Sequence, residues 1–133
     1  MTDTQNLIGV CGVGNMGLNH LKVYDRNNNV EVASMYDPES LVHCDYDLFL
    51  NSCQNLDGVS ICAPSDKHAE IALDILKHNP KIKLLIEKPI DLNLNAAKSL
   101  LPYKDNIFVG HVERYNPVVL KLKEEIKDKQ ILK

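Results

Sequence analysis

The stretch Leu7-Ile8-Gly9-Val10-Cys11-Gly12-Val13-Gly14-Asn15-Met16-Gly17 decides the fold. An apolar run feeds directly into Gly-x-Gly-x-x-Gly, and a segment with helical spacing follows. At such a strand-to-helix junction Gly12 permits the tight turn, Gly14 lets the backbone approach a pyrophosphate, and Gly17 lets helix and strand pack closely. Free N–H groups at the helix N-terminus then seat the anion. Gly12, Gly14, Asn15, Met16 and Gly17 are therefore the candidate phosphate-binding residues. The structural alternative is a glycine-rich turn with no ligand.

Outward from this motif, short apolar runs alternate with helix-period segments along almost the whole chain. Strands are expected at 7–13, 30–36, 58–63, 82–86 and 107–112. Helices are expected at 15–26, 66–78 and 93–101, with a short one around 46–51 inside an irregular stretch. Ala69, Ala72, Leu73 and Leu76 share one helical face, with Ser65 or Asp66 as cap and Asn79-Pro80 as the stop. Pro102 is expected to halt the helix before it. Asn116-Pro117 supplies an N-cap and a proline at the first helical position for a last helix. The pattern is that of an α/β fold: a doubly wound parallel sheet of Rossmann type with helices on both faces. One domain is expected at 1–117, with 118–133 a terminal helix and, at Gln130-Ile131-Leu132-Lys133, the start of a further strand.

The 133 residues suit a single core, and 44% hydrophobic with 25% charged residues is ordinary for a globular protein. Fifteen Lys and Arg against eighteen Asp and Glu give a net charge of −3, and the chain has two Phe, five Tyr and no Trp. That balance argues against nucleic acid as a partner, since such binding needs surplus cations and stacking surfaces. No apolar run approaches the ~20 residues that span a bilayer, so no membrane partner is expected. The start, Met1-Thr2-Asp3-Thr4, lacks the signature of a signal peptide, and the cytoplasm is the expected compartment. Cys11, Cys44, Cys53 and Cys62 form no Cys-x-x-Cys pair, which fits reduced structural thiols and no metal site.

Asp37 lies twenty residues beyond Gly17 at the end of the second strand, where a carboxylate accepts hydrogen bonds from the adenosine ribose. The alternative is an Asp that opens the turn before Pro38. No Lys or Arg occurs between Asp37 and Asp66. A 2′-phosphate would meet carboxylates there, so NAD is expected in preference to NADP.

Two later segments stand at strand ends, where ligands of open parallel sheets collect: Ala63-Pro64-Ser65-Asp66-Lys67-His68 and Glu87-Lys88-Pro89. With GVGNMG, IEKP and the GHVERYNP stretch after the fifth strand, the sequence resembles the Gfo/Idh/MocA family over residues 7–117. GHVERYNP looks most like the branch containing UDP-N-acetylglucosamine 3-dehydrogenases. The resemblance implies an NAD(P)-dependent oxidoreductase acting on a sugar, sugar-nucleotide or cyclitol hydroxyl. It implies that Lys88 is the catalytic lysine beside the nicotinamide, in a cis or otherwise unusual peptide with Pro89. Like charge on the nicotinamide disfavours its ammonium form, which suits it to proton exchange during hydride transfer. Glu87, Lys88, Ala63, Pro64 and His68 would shape the nicotinamide pocket, with His68 either a cofactor contact or a packing residue. Asn116 and Arg114 would reach substrate or nicotinamide, or serve as helix cap and salt-bridge partner.

Members of that family continue into an open antiparallel sheet domain that builds the substrate walls and carries a helical Asp-x-x-x-His. Asp74 and His78 match that string, but at the end of a helix far from Lys88, and read as a solvated helix end. The chain is thus expected to be a cofactor half. The partners implied are the dinucleotide and a sugar or sugar-nucleotide substrate. A missing second domain, or weak self-association through the face that domain would cover, completes the set. The competing reading is a non-catalytic dinucleotide-binding module or redox sensor.

Overall fold

The computed structural model of the chain describes residues 5–43 and 45–129. Cys44 and the expected strand start at 130–133 lie outside the described residues. Five strands, β1 (Asn6–Cys11), β2 (Val30–Tyr36), β3 (Gly58–Ile61), β4 (Lys83–Ile86) and β5 (Ile107–Val109), form one all-parallel sheet in the order β2-β1-β3-β4-β5. The helices are α1 (Asn15–Asp25), α2 (Tyr46–Ser52), α3 (His68–His78), α4 (Leu94–Ser99) and α5 (Pro117–Ile126).

Side chains alternate across each strand, so the register sorts the core into two faces. Val59, Ile61, Leu84 and Ile86 point to one face and pack in a buried cluster with Phe49, Ile75, Leu76 and Leu100 from α2, α3 and the end of α4. The other face carries the row Val10, Ser60, Leu85 and Phe108, aligned strand to strand. Helix α1 covers the β1 and β3 end of that row, while Phe108 stays 59% exposed. The doubly wound arrangement expected from the alternating pattern is present.

Several boundaries differ from the sequence expectations. β1 ends at Cys11 because Gly12 takes φ +88°, and β3, β4 and β5 end two, zero and three residues before their expected ends. The residues beyond β5 instead make short-range bonds, His111 N–H to Val109 O at 2.7 Å and Val112 N–H to Gly110 O at 3.0 Å, before a 3-10 turn at Val112–Tyr115. α3 starts at His68, after a 3-10 turn at Ser65–Lys67, and neither Ser65 nor Asp66 caps it. The cap comes from Asp91, in the loop after β4, whose Oδ2 accepts from Ala69 N–H at 3.1 Å. α4 is capped by Asn93, accepting from Asn95 and Ala96. Pro102 does not stop the chain from coiling; it sits in the first turn of a 3-10 segment, Leu101–Asn106, where its missing N–H is not needed. α5 begins at Pro117 under an Asn116 cap, as read from the sequence, and buries no residue. Among the described residues no helix is long and apolar enough to cross a membrane.

Candidate functional site

A cleft of about 790 Å³ opens at the carboxyl ends of β1, β2 and β3. Gly12, Gly14, Asn15, Met16, Asp37, Ala63 and Pro64 line it, so seven residues singled out from sequence converge on one wall system. Tyr36, Tyr46, Lys67, Glu70 and Ile71 also line it.

The three glycines of the turn meet different demands. Gly12 has φ +88°, and a Cβ there would lie 2.6 Å from Ala63 N, so both conformation and space require glycine. A Cβ on Gly17 would overlap the Gly12 carbonyl oxygen, which fixes how closely α1 crosses β1. A Cβ on Gly14 would meet nothing within 4 Å: the space above it is open to the cleft. The N-terminus of α1 has no side-chain cap, leaving its first-turn N–H groups available to an anion. This is the shape a pyrophosphate requires, and the residues present fit a dinucleotide.

Asp37 does two things at once. Its Oδ2 accepts from Val13 N–H at 2.7 Å, tying the glycine turn to the end of β2, and its Oδ1 accepts from Glu39 N–H at 2.9 Å in the turn that the Asp-Pro pair suggests. Each carboxylate oxygen retains lone-pair capacity toward the cleft. Lys67, one residue past the cation-free window, enters the cleft lining, where Glu70 pairs with it at 2.9 Å. With Asp37, Glu39 and Glu70 against Lys67, the lining is net acidic.

Cys11 and Cys62 lie on the cleft floor. Burial, reinforced by the neighbouring Cys53, Cys62 and Asp37, pushes the Cys11 thiol up to about 12. Burial and then Glu87 push Cys62 up to about 12. Both therefore present neutral S–H groups rather than thiolate nucleophiles at neutral pH. Burial also raises Tyr46, with Asp74 adding to the effect. Among the described residues no group of three His, Cys, Asp or Glu is arranged to hold a metal.

The remaining sequence candidates sit elsewhere. Lys88 stands exposed at the carboxyl end of β4, in a cis peptide with Pro89 as the sequence reading expects. Its neighbour Glu87 is 7% exposed and turned away from the cleft lining, with Oε1 2.9 Å from His20 Nε2 on α1 and Oε2 accepting from Lys88 N–H at 3.2 Å. His68 is 1% exposed and is absent from the cleft lining. Its Nδ1 lies 2.8 Å from Pro89 O and its Nε2 2.8 Å from Ala63 O, so it ties the ends of β3 and β4 together from behind. Asn116 spends its side chain locally, Oδ1 accepting from Val118 N–H at 2.9 Å and Nδ2 donating to Glu113 Oε2 at 2.7 Å. His68 thus makes contacts of the packing kind and Asn116 those of a helix cap. Arg114 lies in the exposed 3-10 turn after β5.

His20, Tyr24 and Ser60 were not singled out from sequence. The available signal was modest: two aromatic polar residues four apart on α1, facing a serine inside an otherwise apolar strand.

The model of the oxidoreductase family with an NAD-binding Rossmann fold matches residues 7–105. The rhizopine catabolism protein MocA of Rhizobium meliloti is 25% identical over 93% of this chain and 43% of its own length. The inositol 2-dehydrogenase of Rhizobium meliloti is 25% identical over 92% of this chain and 41% of its own. Among solved structures, GenD2 from gentamicin A biosynthesis, determined in complex with NAD, superposes with a TM-score of 0.82. It is 20% identical over 95% of this chain and 40% of that one. The chain therefore spans less than half the length of the curated relatives it matches. With that match covering most of its length, the chain belongs to the Gfo/Idh/MocA oxidoreductase family.

Proposed function

We propose that the chain is the NAD(H)-binding half of an oxidoreductase that moves a hydride from the carbon bearing a cyclitol, sugar or sugar-nucleotide hydroxyl to the cofactor, or from the cofactor back to the corresponding carbonyl carbon. The observation that carries this reading is the cleft itself. Gly12 forms the strained turn, open space lies above Gly14, and Asp37 closes the far wall beside an uncapped helix N-terminus. The name of inositol 2-dehydrogenase supports a cyclitol-like substrate, and the NAD held by GenD2 supports the cofactor.

NAD supplies the hydride acceptor when bound. The chain's own residues would do the rest. The α1 N-terminus and the Gly12-to-Gly17 backbone would hold the pyrophosphate. Asp37 would receive the adenosine ribose hydroxyls, and Ala63 and Pro64 would form the wall leading toward β4. Lys88 would hold or release the proton of the reacting hydroxyl. Titration of the chain with NADH, NADPH and ADP-ribose at fixed ionic strength tests the reading. Because the chain has no Trp, reduced-nicotinamide fluorescence can be followed with little protein background. Failure of all three ligands to bind would overturn it.

A further inference from the structure

We propose that His20 is a positioning residue for the Lys88 segment: it holds Glu87 through a part-buried hydrogen-bonded chain that starts at Tyr24. The proposal rests on the reading of Lys88 as the site lysine and adds residues on the opposite face of the sheet to that site.

The chain runs through four side chains from three elements. Tyr24 OH lies 2.5 Å from Ser60 Oγ, Ser60 Oγ lies 3.1 Å from His20 Nδ1, and His20 Nε2 lies 2.9 Å from Glu87 Oε1. Glu87 Oε2 then accepts from the Lys88 backbone N–H at 3.2 Å. Donor and acceptor capacities orient the link to Glu87. A carboxylate only accepts, so Nε2 carries the hydrogen toward Glu87. The Ser60 and Tyr24 hydroxyls, each able both to donate and to accept, continue the chain from Nδ1. No buried side-chain polar atom among the described residues is left without a partner.

The same geometry excludes two other uses of these residues. Ser60, His20 and Glu87 have the chemical types of a nucleophile, base and carboxylate, but Ser60 is fully buried and cannot meet a substrate. Glu87 cannot swing toward the cleft without breaking its bond to His20. On its β5 side the backbone of Gly110 closes in: a Cβ added there would lie 3.2 Å from Glu87 Oε1. Glu87 is therefore an anchor that receives the Lys88 amide, rather than a wall of the nicotinamide pocket. What His20 controls is the backbone at the root of the Lys88 side chain.

The test uses the intact chain and reads Lys88 directly. Amide hydrogen exchange at Lys88, measured by NMR, should accelerate about tenfold in His20→Ala while Val10 and Val59 in the sheet keep their protection. His20→Gln, whose amide can still donate to Glu87, should restore it. Tyr24→Phe, which keeps the ring packed and cuts the chain at its far end, should give a smaller change in the same direction. If His20→Ala does not fold, Glu87→Gln and Tyr24→Phe carry the comparison. In a second arm, NAD+ should protect the Lys88 amine from acylation in the wild type and in His20→Gln. It should protect it severalfold less in His20→Ala, while ADP-ribose affinity stays unchanged. Unaltered Lys88 exchange in the variants, acceleration spread evenly over the sheet, or no rescue by His20→Gln would overturn the proposal. If neither NAD+ nor ADP-ribose binds the wild type, the proposed function falls, and the exchange arm still decides the role of His20.

Discussion

Gly17 lies against Gly12 so closely that a methyl group on the first would overlap the carbonyl oxygen of the second, whereas Gly14 between them faces open space. Two of the three glycines therefore serve the fold, and one serves what enters the cleft. Gly12→Ala combines an unfavourable positive φ with backbone overlap and should cost about 2–5 kcal/mol. Gly17→Ala should be at least as damaging. Gly14→Ala should change stability by no more than about 1 kcal/mol. It should nonetheless weaken NADH binding markedly, because its methyl group occupies the space offered to the pyrophosphate. Denaturant melts paired with NADH titration separate the three; loss of stability in Gly14→Ala equal to that in Gly12→Ala would refute this division.

That division explains how much was legible in sequence. The Gly-x-Gly-x-x-Gly pattern carried the fold because Gly12 and Gly17 answer steric needs of the turn itself, while Gly14 marks the open space beside them. β2, the α5 start at Asn116-Pro117 and the cis Lys88–Pro89 bond follow from similarly local chemistry or from family resemblance. What stayed hidden depends on long-range pairing. The cap of α3 is Asp91, 22 residues away from the Ala69 N–H it receives, and Glu87 meets His20 across 67 residues. No spacing rule joins such positions, so nothing in the sequence pairs Glu87 with α1. Lys67 shows the same limit, standing just outside a cation-free window of sequence yet inside the cleft.

Cofactor preference follows from the acidic lining. The chain should bind NAD(H) more tightly than NADP(H), since a 2′-phosphate would face Asp37, Glu39 and Glu70 with Lys67 already paired to Glu70. Asp37→Ala should narrow the discrimination by about 1.5–3 kcal/mol, the loss of a charge-assisted hydrogen bond. It should also loosen the turn at Val13, whose N–H loses its acceptor. Glu70→Gln, which frees the Lys67 charge, should shift preference further toward NADP(H). Equal or tighter NADP(H) binding by the wild type would refute the role of Asp37; the preference should also shrink as salt is added.

The buried thiols give the chain an alkaline weakness. Cys11 and Cys53 are both pushed up to about 12, chiefly by burial, from an ordinary value of 9.0. Folded, they stay protonated where the unfolded chain ionises, so the unfolded state binds fewer protons above pH 9 and stability must fall as pH rises. The contribution of neutral burial is fully present below pH 9 and is lost progressively between about 9 and 12. Each of these two thiols adds a slope of roughly 1.4 kcal/mol per pH unit within that window. Urea melts between pH 7 and 10.5 check the slope, and Cys53→Ala should reduce it. Stability that is flat through pH 10 would contradict the burial of both groups.

The chain alone should bind cofactor and still fail to turn over a sugar or cyclitol. Hydride transfer requires the reacting carbon to be held roughly 3–3.5 Å from the nicotinamide in a site that excludes water. Lys88 is exposed at the end of β4 and is not part of the cleft lining. On the α1 face Phe108 remains uncovered, and α5 carries Val118, Leu120 and Leu122 outward with no residue buried. Such a surface favours either weak self-association or a monomer with an exposed apolar patch, which sedimentation distinguishes. Assays with inositol, glucose and UDP-N-acetylglucosamine, each with NAD+, should stay at background. In a relative that carries a second domain, replacement of the lysine corresponding to Lys88 by alanine should lower turnover far more than NAD+ affinity, whereas the reverse would make it a binding residue. Background activity with intact NADH binding also fits a redox-sensing module, and that two-domain comparison separates the two, because a sensor has no need of a lysine whose loss spares binding. Lys88-dependent turnover by the isolated chain would show that one wall of the cleft is enough.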